Sequence, residues 1–229
     1  MAGAYGDLSQ TSVFLDFDGT ISSVDVGRHL LAHAAASVPD GSPIPDGSGW
    51  WDLHQRYERG EIGSRECLFD QWALIEGDES TLRALAGEVA LDPGFEPLVR
   101  ALRAAGAEVM VVSDGFGFYV DQACAGLDLR VLTNAVDFAS GQLAFPHEDR
   151  CCPCSTCGVC KQAPIKDARH QGRTAVLVGD GASDRKAALL ADVVFAKAGL
   201  ADWCDAFGVD CVRFETLDDV HRVFVGGAG

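Results

Sequence analysis

The segment LDFDGT, residues 15–20, places two aspartates directly behind an apolar run. That run, within SVFLDF (12–17), predicts a strand covered on both faces, because its apolar residues do not alternate with polar ones. Alternate residues of an extended strand face the same side, so Asp16 and Asp18 can address one ligand. Two carboxylates at the end of a buried strand repel each other, which predicts a partner that offsets their charge.

The composition indicates a folded, acidic protein. The chain has 229 residues, of which 48% are apolar, and this suits one domain with an insertion or two small domains. Its formal net charge of −16 disfavours nucleic acid and anionic membranes as partners, because both bind through positive charge. An anionic substrate would need a metal ion or basic groups at the site itself.

No segment resembles a secretory signal or a membrane span. The opening residues, MAGAYGDLSQTSVF, have no basic region followed by an apolar one. No apolar run approaches the roughly 18 residues that a membrane helix needs. We therefore expect a soluble cytoplasmic protein, monomeric or homodimeric, without a membrane or nucleic-acid partner.

Five further apolar runs predict parallel strands. They are AEVMVVS (107–113), LRVLTNAV (129–136), TAVLVGD (174–180), DVVFA (192–196) and DCVRF (210–214). Helical patterns separate several of them: GFEPLVRALRAAG (94–106), which Gly106 would end, and SDRKAALLA (183–191), which Ser183 would cap. This alternation predicts an α/β fold with a Rossmann-like, doubly wound parallel sheet. The segment FASGQLAF (138–145) predicts a hairpin.

Residues 21–92 interrupt this alternation. Three segments there have helical patterns, namely RHLLAHAAASV (28–38), RECLFDQWALI (65–75) and STLRALAGEVAL (80–91). A loop rich in Gly, Pro and Ser, residues 39–51, separates the first two. We expect a helical cap over residues 21–92, inserted after strand one, and a core formed by residues 1–20 and 93–229.

Polar residues follow three of the predicted strands. They are Asp16 and Asp18, then Ser113, Asp114 and Gly115, and then Gly179, Asp180, Gly181 and Asp184. The carboxyl ends of the strands in an open α/β sheet form the ligand crevice, so these side chains should converge. Oxygen ligands of this kind favour Mg²⁺, which uses carboxylates together with waters and a substrate phosphate.

These motifs, in this order, resemble the haloacid dehalogenase superfamily of phosphohydrolases, subclass IB. The resemblance rests on Asp-x-Asp-Gly-Thr, VVSDG, a downstream lysine and Gly-Asp-Gly-x-Ser-Asp, and it covers roughly residues 12–215. It implies a Mg²⁺-dependent phosphomonoesterase that acts on a small phosphorylated metabolite through an aspartyl-phosphate. It also implies a helical cap between the first and second motifs.

The resemblance implies a role for each matching residue. Asp16 would be the nucleophile, and Asp18 would protonate the leaving alcohol and then activate water. The Asp16 carboxylate, the Asp18 carbonyl and Asp180 would hold Mg²⁺, with Asp184 behind the metal or on one of its waters. Ser113 and the amide of Asp114 would bind the phosphoryl oxygens.

The phosphoryl group would also bind a lysine at the start of the helix before the fourth motif. In CGVCKQAPIKDARHQGRTAVLVGD (157–180), Lys161 fits that place best. Lys166 lies a turn or more further along and is the alternative.

Two stretches, CCPCSTCGVCK and ADVVFAKAGLADWC, look like one branch of the superfamily. That branch contains the methionine-salvage phosphatase acting on 2-hydroxy-3-keto-5-methylthiopentenyl-1-phosphate, and it is related to phosphoserine phosphatases. Asp25 falls near the cap glutamate that serine phosphatases use for the amino acid, although it could equally cap a helix. Counted from RGEI, Phe69 stands where those enzymes have an arginine, although three arginines lie nearby, Arg56, Arg59 and Arg65.

Four cysteines, Cys151, Cys154, Cys157 and Cys160, recur every three residues. Two Cys-x-x-Cys pairs are compatible with structural Zn²⁺, for which His147 could replace one ligand. Reduced thiols or a disulfide are the alternatives, and since the run adjoins Lys161, oxidation should impair activity. Three other functions stay open: phosphoserine phosphatase proper, a phosphotransferase, and a non-catalytic binding domain with this fold.

Overall fold

Seven strands form one sheet in the order β4-β3-β2-β1-β5-β6-β7. The computed structural model describes residues 7–34, 49–148 and 156–226. The strands are β1 (Thr11–Leu15), β2 (Glu108–Phe116), β3 (Arg130–Asp137), β4 (Gln142–Ala144), β5 (Thr174–Gly179), β6 (Val193–Ala196) and β7 (Val212–Arg213). Every neighbouring pair is parallel except β3 and β4, which are antiparallel. The sheet matches the predicted α/β fold, and β1 lies at its centre, between β2 and β5.

Helices cover both faces of the sheet. Within the described ranges they are α1 (Val26–Ala34), α2 (Trp50–Glu58), α3 (Ser64–Trp72), α4 (Glu79–Gly87), α5 (Phe95–Ala104), α6 (Gly117–Ala123), α7 (Gln162–His170), α8 (Arg185–Ala188), α9 (Ala198–Phe207) and α10 (Leu217–Gly226). Val13 and Leu15 of β1 lie in one apolar cluster with residues of α5 and α10, whereas Phe14 lies in a second with residues of α7 and α9. Strands covered on both faces need apolar residues at every position, which explains the lack of alternation in the sequence.

In the described part of the stretch between β1 and α5 there are four helices, α1 to α4. Helix α1 packs against α4, α2 packs against α3, and α4 also contacts α6 of the core. Val26 and Leu30 of α1 and Leu82 of α4 belong to the same buried cluster as Val13 of β1. The inserted helices therefore share an apolar interior with one face of the sheet. Burial of that apolar surface stabilises their position over the sheet.

Two local predictions need correction in their bounds. The segment 183–191 is a 3₁₀ turn, Ala182–Asp184, followed by the short helix α8 that ends at Ala188, and Ser183 does not cap it. The predicted hairpin exists, but its first arm is the end of β3, because Ala135 pairs with Ala144 across the turn.

Of two further predictions within residues 21–92, one needs correction and the other stays a prediction. Helix α2 begins at Trp50, inside the predicted loop 39–51, because the tryptophans and the residues after them form an amphipathic helix. The second half of the predicted helix 28–38 lies outside the described residues. Within the described ranges, no helix combines the length and the apolar character needed to span a membrane.

Candidate active site

The polar residues after β1 and β5 and those in the last part of β2 meet at the carboxyl edge of the sheet. The cause is the strand order, since β1 lies between β2 and β5 and all three run in the same direction. Strand β2 runs on to Phe116, so Ser113, Asp114 and Gly115 lie within it, whereas the sequence predicted them after it. The Asp16 amide extends the pairing by donating to the Val178 carbonyl, at 2.9 Å. Beyond Val112 the register of β2 shifts, and Ser113 is completely buried there. Strand order thus brings together residues that are about a hundred positions apart in the chain.

Lys161 lies at the centre of a buried charged cluster. Its Nζ is 2.7 Å from Asp16 Oδ1 and 2.8 Å from Asp184 Oδ1, and it donates to Ser183 Oγ at 2.7 Å. Although burial acts to lower the pKa of Lys161, the carboxylates of Asp16 and Asp184 raise it more strongly, so the ammonium stays charged. Lys161 is the cap residue at the start of α7, where the sequence predicted it, whereas Lys166 is half-buried further along the helix.

Three carboxylates form a pocket of oxygen atoms. Asp16, Asp180 and Asp184 each offer an oxygen within 4.8 Å of the others. Burial, and then the charge of Asp184, raises the pKa of Asp180 to about 6, against the opposing Lys161. One ammonium does not balance three carboxylates, so a divalent cation with a preference for oxygen ligands, such as Mg²⁺, fits this donor set.

Gly19 permits the close approach of the first motif to Asp180. Its φ is +76°, a conformation that residues with a side chain rarely adopt. A Cβ at this position would also collide with the Asp180 carboxylate. The glycine of Asp-x-Asp-Gly-Thr is therefore required by backbone geometry and by space.

Asp18 lies in a different environment from Asp16. Its Oδ1 accepts from the Val26 amide at 2.9 Å, and its Oδ2 accepts from Ser113 Oγ at 3.3 Å and Tyr119 Oη at 3.2 Å. Burial, reinforced by the nearby charge of Asp25, raises the pKa of Asp18 to about 7. A carboxyl with a pKa near neutrality can both donate and accept a proton at physiological pH.

The carboxylate and the carbonyl of Asp114 both accept hydrogen bonds from other parts of the protein. Asp114 Oδ1 accepts from the Val159 amide at 2.7 Å, and its carbonyl accepts from Asn134 Nδ2 at 2.6 Å. Burial raises the pKa of Asp114, whereas Lys161 and the Val159 amide oppose that rise. The predicted role of its backbone amide toward a phosphoryl group stays a prediction.

Asp25 caps α1. Its Oδ1 accepts from the Arg28 amide at 2.8 Å, and its carbonyl accepts from the His29 amide at 3.0 Å. The side chain is half-buried, and burial raises its pKa. The capping alternative is therefore present in the structure, while contact with a substrate stays a prediction.

The inserted helices contact the core beside the carboxylates. Arg185, which follows Asp184, donates from Nη2 to Glu58 Oε2 at 2.8 Å and from Nη1 to the Glu58 carbonyl at 2.9 Å. Glu58 is the last residue of α2. A two-point contact of this kind fixes the end of α2 next to the fourth motif.

The cysteine-rich run is described in part. Cys151 and Cys154 lie outside the described residues, so zinc binding and the redox alternative stay predictions. Cys157 is half-buried, and Lys186 Nζ approaches its Sγ at 3.8 Å. Cys160 is buried beside Lys161.

Sequence reasoning missed Tyr119, Ser64 and the side chain of Asp114. Tyr119 contacts Asp18 from α6, and Ser64 contacts the segment before Lys161 from α3. An aromatic residue in a helix is usually part of the core, and a serine at the start of a helix is usually a cap. Neither residue belongs to a motif, so no spacing pattern pointed to them.

Comparison with known proteins agrees with this geometry. The family model described as haloacid dehalogenase-like hydrolase matches residues 13–189, more than half of the chain. A 2-hydroxy-3-keto-5-methylthiopentenyl-1-phosphate phosphatase from an Exiguobacterium species is 27% identical over 222 residues, covering 94% of this chain and 98% of that protein.

Solved structures show the same fold. A phospho-aspartyl intermediate analogue of phosphoserine phosphatase superposes with a TM-score of 0.66 at 18% identity, over 92% of this chain and 97% of that one. The phosphoserine phosphatase from T. onnurineus, in complex with NDSB-201, gives a TM-score of 0.67 at 20% identity, over 97% and 98%. The motifs in their predicted order, the sheet that brings them together and the match over residues 13–189 lead to one conclusion: this chain belongs to the haloacid dehalogenase-like hydrolases.

Proposed function

We propose that the protein is a Mg²⁺-dependent phosphomonoesterase that hydrolyses a small phosphorylated metabolite. The observation that carries this proposal is that two aspartates of the first motif, Asp16 and Asp18, lie in different environments. Asp16 contacts Lys161 and shares a pocket with Asp180 and Asp184, whereas Asp18 is held apart by Tyr119 and Ser113. Two carboxyls in such different environments suit a nucleophile and a general acid.

In the first step, a carboxylate oxygen of Asp16 attacks phosphorus and the bond to the substrate oxygen breaks. Asp18, whose pKa of about 7 keeps part of the molecules protonated at neutral pH, donates its proton to the leaving alkoxide. The product of this step is an aspartyl-phosphate on Asp16. The ammonium of Lys161, close to Asp16, stabilises negative charge on the phosphoryl oxygens.

In the second step, Asp18, now a carboxylate, accepts a proton from water while that water attacks phosphorus. The bond between phosphorus and Asp16 breaks, which releases phosphate and restores both aspartates. Asp16, Asp180 and the Asp18 carbonyl would hold Mg²⁺, with Asp184 at the edge of the same pocket. The bound ion would supply positive charge against the carboxylates and the phosphoryl group.

We further propose that residues 21–92 act as a cap over a core formed by residues 1–20 and 93–229. The contact between Arg185 and Glu58 supports this proposal, since it places α2 beside the carboxylates. A cap in that position excludes bulk water and contacts the substrate beyond its phosphate. The acidic character of the chain favours a metabolite as substrate rather than nucleic acid or anionic membrane lipid.

The first substrate to test is the enol phosphate named for the Exiguobacterium relative, since that protein matches this chain along nearly its full length. The test measures phosphate release from a panel that contains this compound, phosphoserine, phosphocholine, and sugar and polyol phosphates. Each is assayed with Mg²⁺, with EDTA, and with Asp16→Asn. Lys166→Ala is the matched control, because Lys166 lies in α7 outside the charged cluster.

We expect Mg²⁺-dependent release from one class of substrate, lost in Asp16→Asn and kept in Lys166→Ala. Preference for phosphoserine would identify a phosphoserine phosphatase proper. A phosphorylated acceptor alcohol in place of free phosphate would identify a phosphotransferase. No release from any compound by a folded, Mg²⁺-loaded protein would favour a non-catalytic binding domain.

A further inference from the structure

Lys161 is carried by a short segment, Thr156–Lys161, whose position decides where the ammonium lies. Three backbone amides of that segment donate in succession to other parts of the protein. The Gly158 amide donates to Ser64 Oγ at 3.1 Å, the Val159 amide to Asp114 Oδ1 at 2.7 Å, and the Cys160 amide to the His147 carbonyl at 3.0 Å. The segment has no regular secondary structure before α7, so these bonds fix its path.

The first of these partners belongs to the inserted helices. Ser64 is the first residue of α3 and is 6% exposed. Its hydroxyl accepts from Gly158, and its interaction with the Asp114 side chain acts to lower the pKa of that carboxyl. One hydroxyl has a single proton and can accept while it donates, so Ser64 joins the segment to Asp114.

Further contacts beside Ser64 join the start of α3 to the segment and to the residues before it. The Arg65 amide donates to the Thr156 carbonyl at 3.1 Å, and the Arg65 guanidinium pairs with Glu148. A Cβ on Gly63 would collide with Thr156. The start of α3 therefore contacts the segment through the Arg65 backbone and the Ser64 side chain, and it pairs with Glu148 outside the segment.

The second partner belongs to the second motif. The Asp114 carboxylate points toward the segment, and the Asp114 carbonyl is bound by Asn134, a residue with no exposed surface. Asp114 thus connects strand β2, where Ser113 lies, to the residue two positions before Lys161. A rigid link of this kind limits the movement of a group that must stay close to the reacting atoms.

We propose that Ser64 and the Asp114 carboxylate are positioning residues that set Lys161 against Asp16. Because Ser64 belongs to the inserted helices, the packing of those helices against the segment also positions Lys161. This inference deepens the proposed function and rests on it, because Lys161 acts there on the phosphoryl group. The side chains of both residues accept hydrogen bonds from the segment, and we infer that they act on Lys161 through it.

The first test compares kinetics of Asp114→Ala, Asp114→Asn and Ser64→Ala. The alanine variants should lower kcat by about ten- to a hundredfold with little change in KM, since each removes a hydrogen bond that orders the segment. Asp114→Asn should restore most of kcat, because its amide oxygen still accepts from Val159. Ser80→Ala is the matched control, as Ser80 is an exposed serine at the start of α4 that bonds only locally, to Asp78.

The second test does not depend on activity. Cys160 is 3% exposed, so in protein reduced with a phosphine and kept in EDTA, its alkylation by iodoacetamide, followed by peptide mass spectrometry, reports the opening of the segment. Alkylation should be faster in Asp114→Ala and Ser64→Ala than in the wild-type protein, Asp114→Asn or Ser80→Ala. If Asp114→Ala does not fold, Ser64→Ala and Asp114→Asn carry the comparison.

Wild-type alkylation rates in both alanine variants would overturn the proposal. A fall in kcat without faster alkylation would also overturn it, because the residues would then act without moving the segment. Absence of phosphate release by the wild-type protein would count against the proposed function alone. The alkylation rates would still decide whether Ser64 and Asp114 hold the segment.

Discussion

Lys161 Nζ lies 2.7 Å from Asp16 Oδ1, and the two side chains are 3% and 5% exposed. The pair is thus withdrawn from solvent at the end of the central strand. A buried charge that loses its partner is strongly destabilising, whereas the same pair on the surface contributes little. The contact therefore links the proposed chemistry to the stability of the fold.

Lys161→Gln should lower both activity and stability. We expect phosphate release to fall by at least about a hundredfold, since a charge that stabilises the transition state is removed. The free energy of unfolding should fall by about 3–5 kcal/mol, because Asp16 and Asp184 lose their buried cation. Phosphate assays and urea denaturation measure the two effects, with Lys166→Gln as the control. A stable, fully active Lys161→Gln protein would contradict the assigned role.

Asp18→Asn should separate the two chemical steps. With an alkyl phosphate, the first step should slow strongly, because the leaving alkoxide is no longer protonated. With an activated aryl phosphate, the first step should proceed while hydrolysis of the aspartyl-phosphate stalls. Intact-protein mass spectrometry should then detect the mass of one added phosphoryl group, absent in the double variant with Asp16→Asn. Equal loss with both leaving groups, and no adduct, would argue against Asp18 as the acid and base.

Tyr119→Phe should move the pH dependence of the second step. The phenol donates to Asp18 Oδ2 at 3.2 Å, and that bond acts to lower the pKa of Asp18. Without it the pKa rises, so a higher pH is needed before Asp18 can accept a proton from water. The acid limb of the rate of phosphoenzyme hydrolysis should shift to higher pH. A stopped-flow pH profile measures this shift, and a shift toward lower pH would refute the assignment.

The metal-free protein should become less stable as the pH rises from about 4 to about 7. Burial raises the pKa of Asp18 to about 7 and that of Asp180 to about 6 in the folded state, above the ordinary value of 3.8. A group with a raised folded pKa stabilises the fold at low pH and loses that contribution as the pH rises through the folded value.

Thermal unfolding in EDTA across this pH window measures the effect. The Tm should fall with pH, and Asp180→Asn should reduce the slope, because one of the carboxyls with a raised pKa no longer ionises. Mg²⁺ should raise the Tm more at the upper end of the window than at the lower end, since it binds the ionised carboxylates. A Tm in EDTA that rises through the same pH window would contradict this prediction, because the raised pKa values of Asp18 and Asp180 require the opposite slope.

Much of the site followed from residue order alone. Asp16, Asp18, Ser113 and Asp180 were predicted from their places after apolar runs, and the structure brings them to one edge of the sheet. The prediction worked because parallel strands with helical crossovers end on the same side, whatever the details of packing. The position of Lys161 at the start of α7 was predicted from the resemblance to the haloacid dehalogenase superfamily, and the structure places it there.

Local detail was less predictable where two signals competed. Ser183 has the chemistry of a helix cap, yet its hydroxyl accepts from Lys161, because a buried ammonium with two carboxylate partners has a third proton to donate. The sequence predicted a loop over residues 39–51 because those residues are rich in Gly and Pro, so the start of helix α2 at Trp50 was missed. The sequence left Asp25 as either a substrate contact or a helix-capping residue, and in the structure it caps helix α1.

By itself, the sequence determined the class of fold, the family, and which carboxylates lie at the strand ends, because apolar patterning and motif order are properties of the chain alone. The tertiary structure alone decided that Tyr119 holds Asp18, that Asp114 faces the segment before Lys161, and that Ser64 reaches the same segment from the inserted helices. Each of these contacts joins elements that are distant in sequence. Their partners depend on strand order and helix packing, which no spacing along the chain encodes.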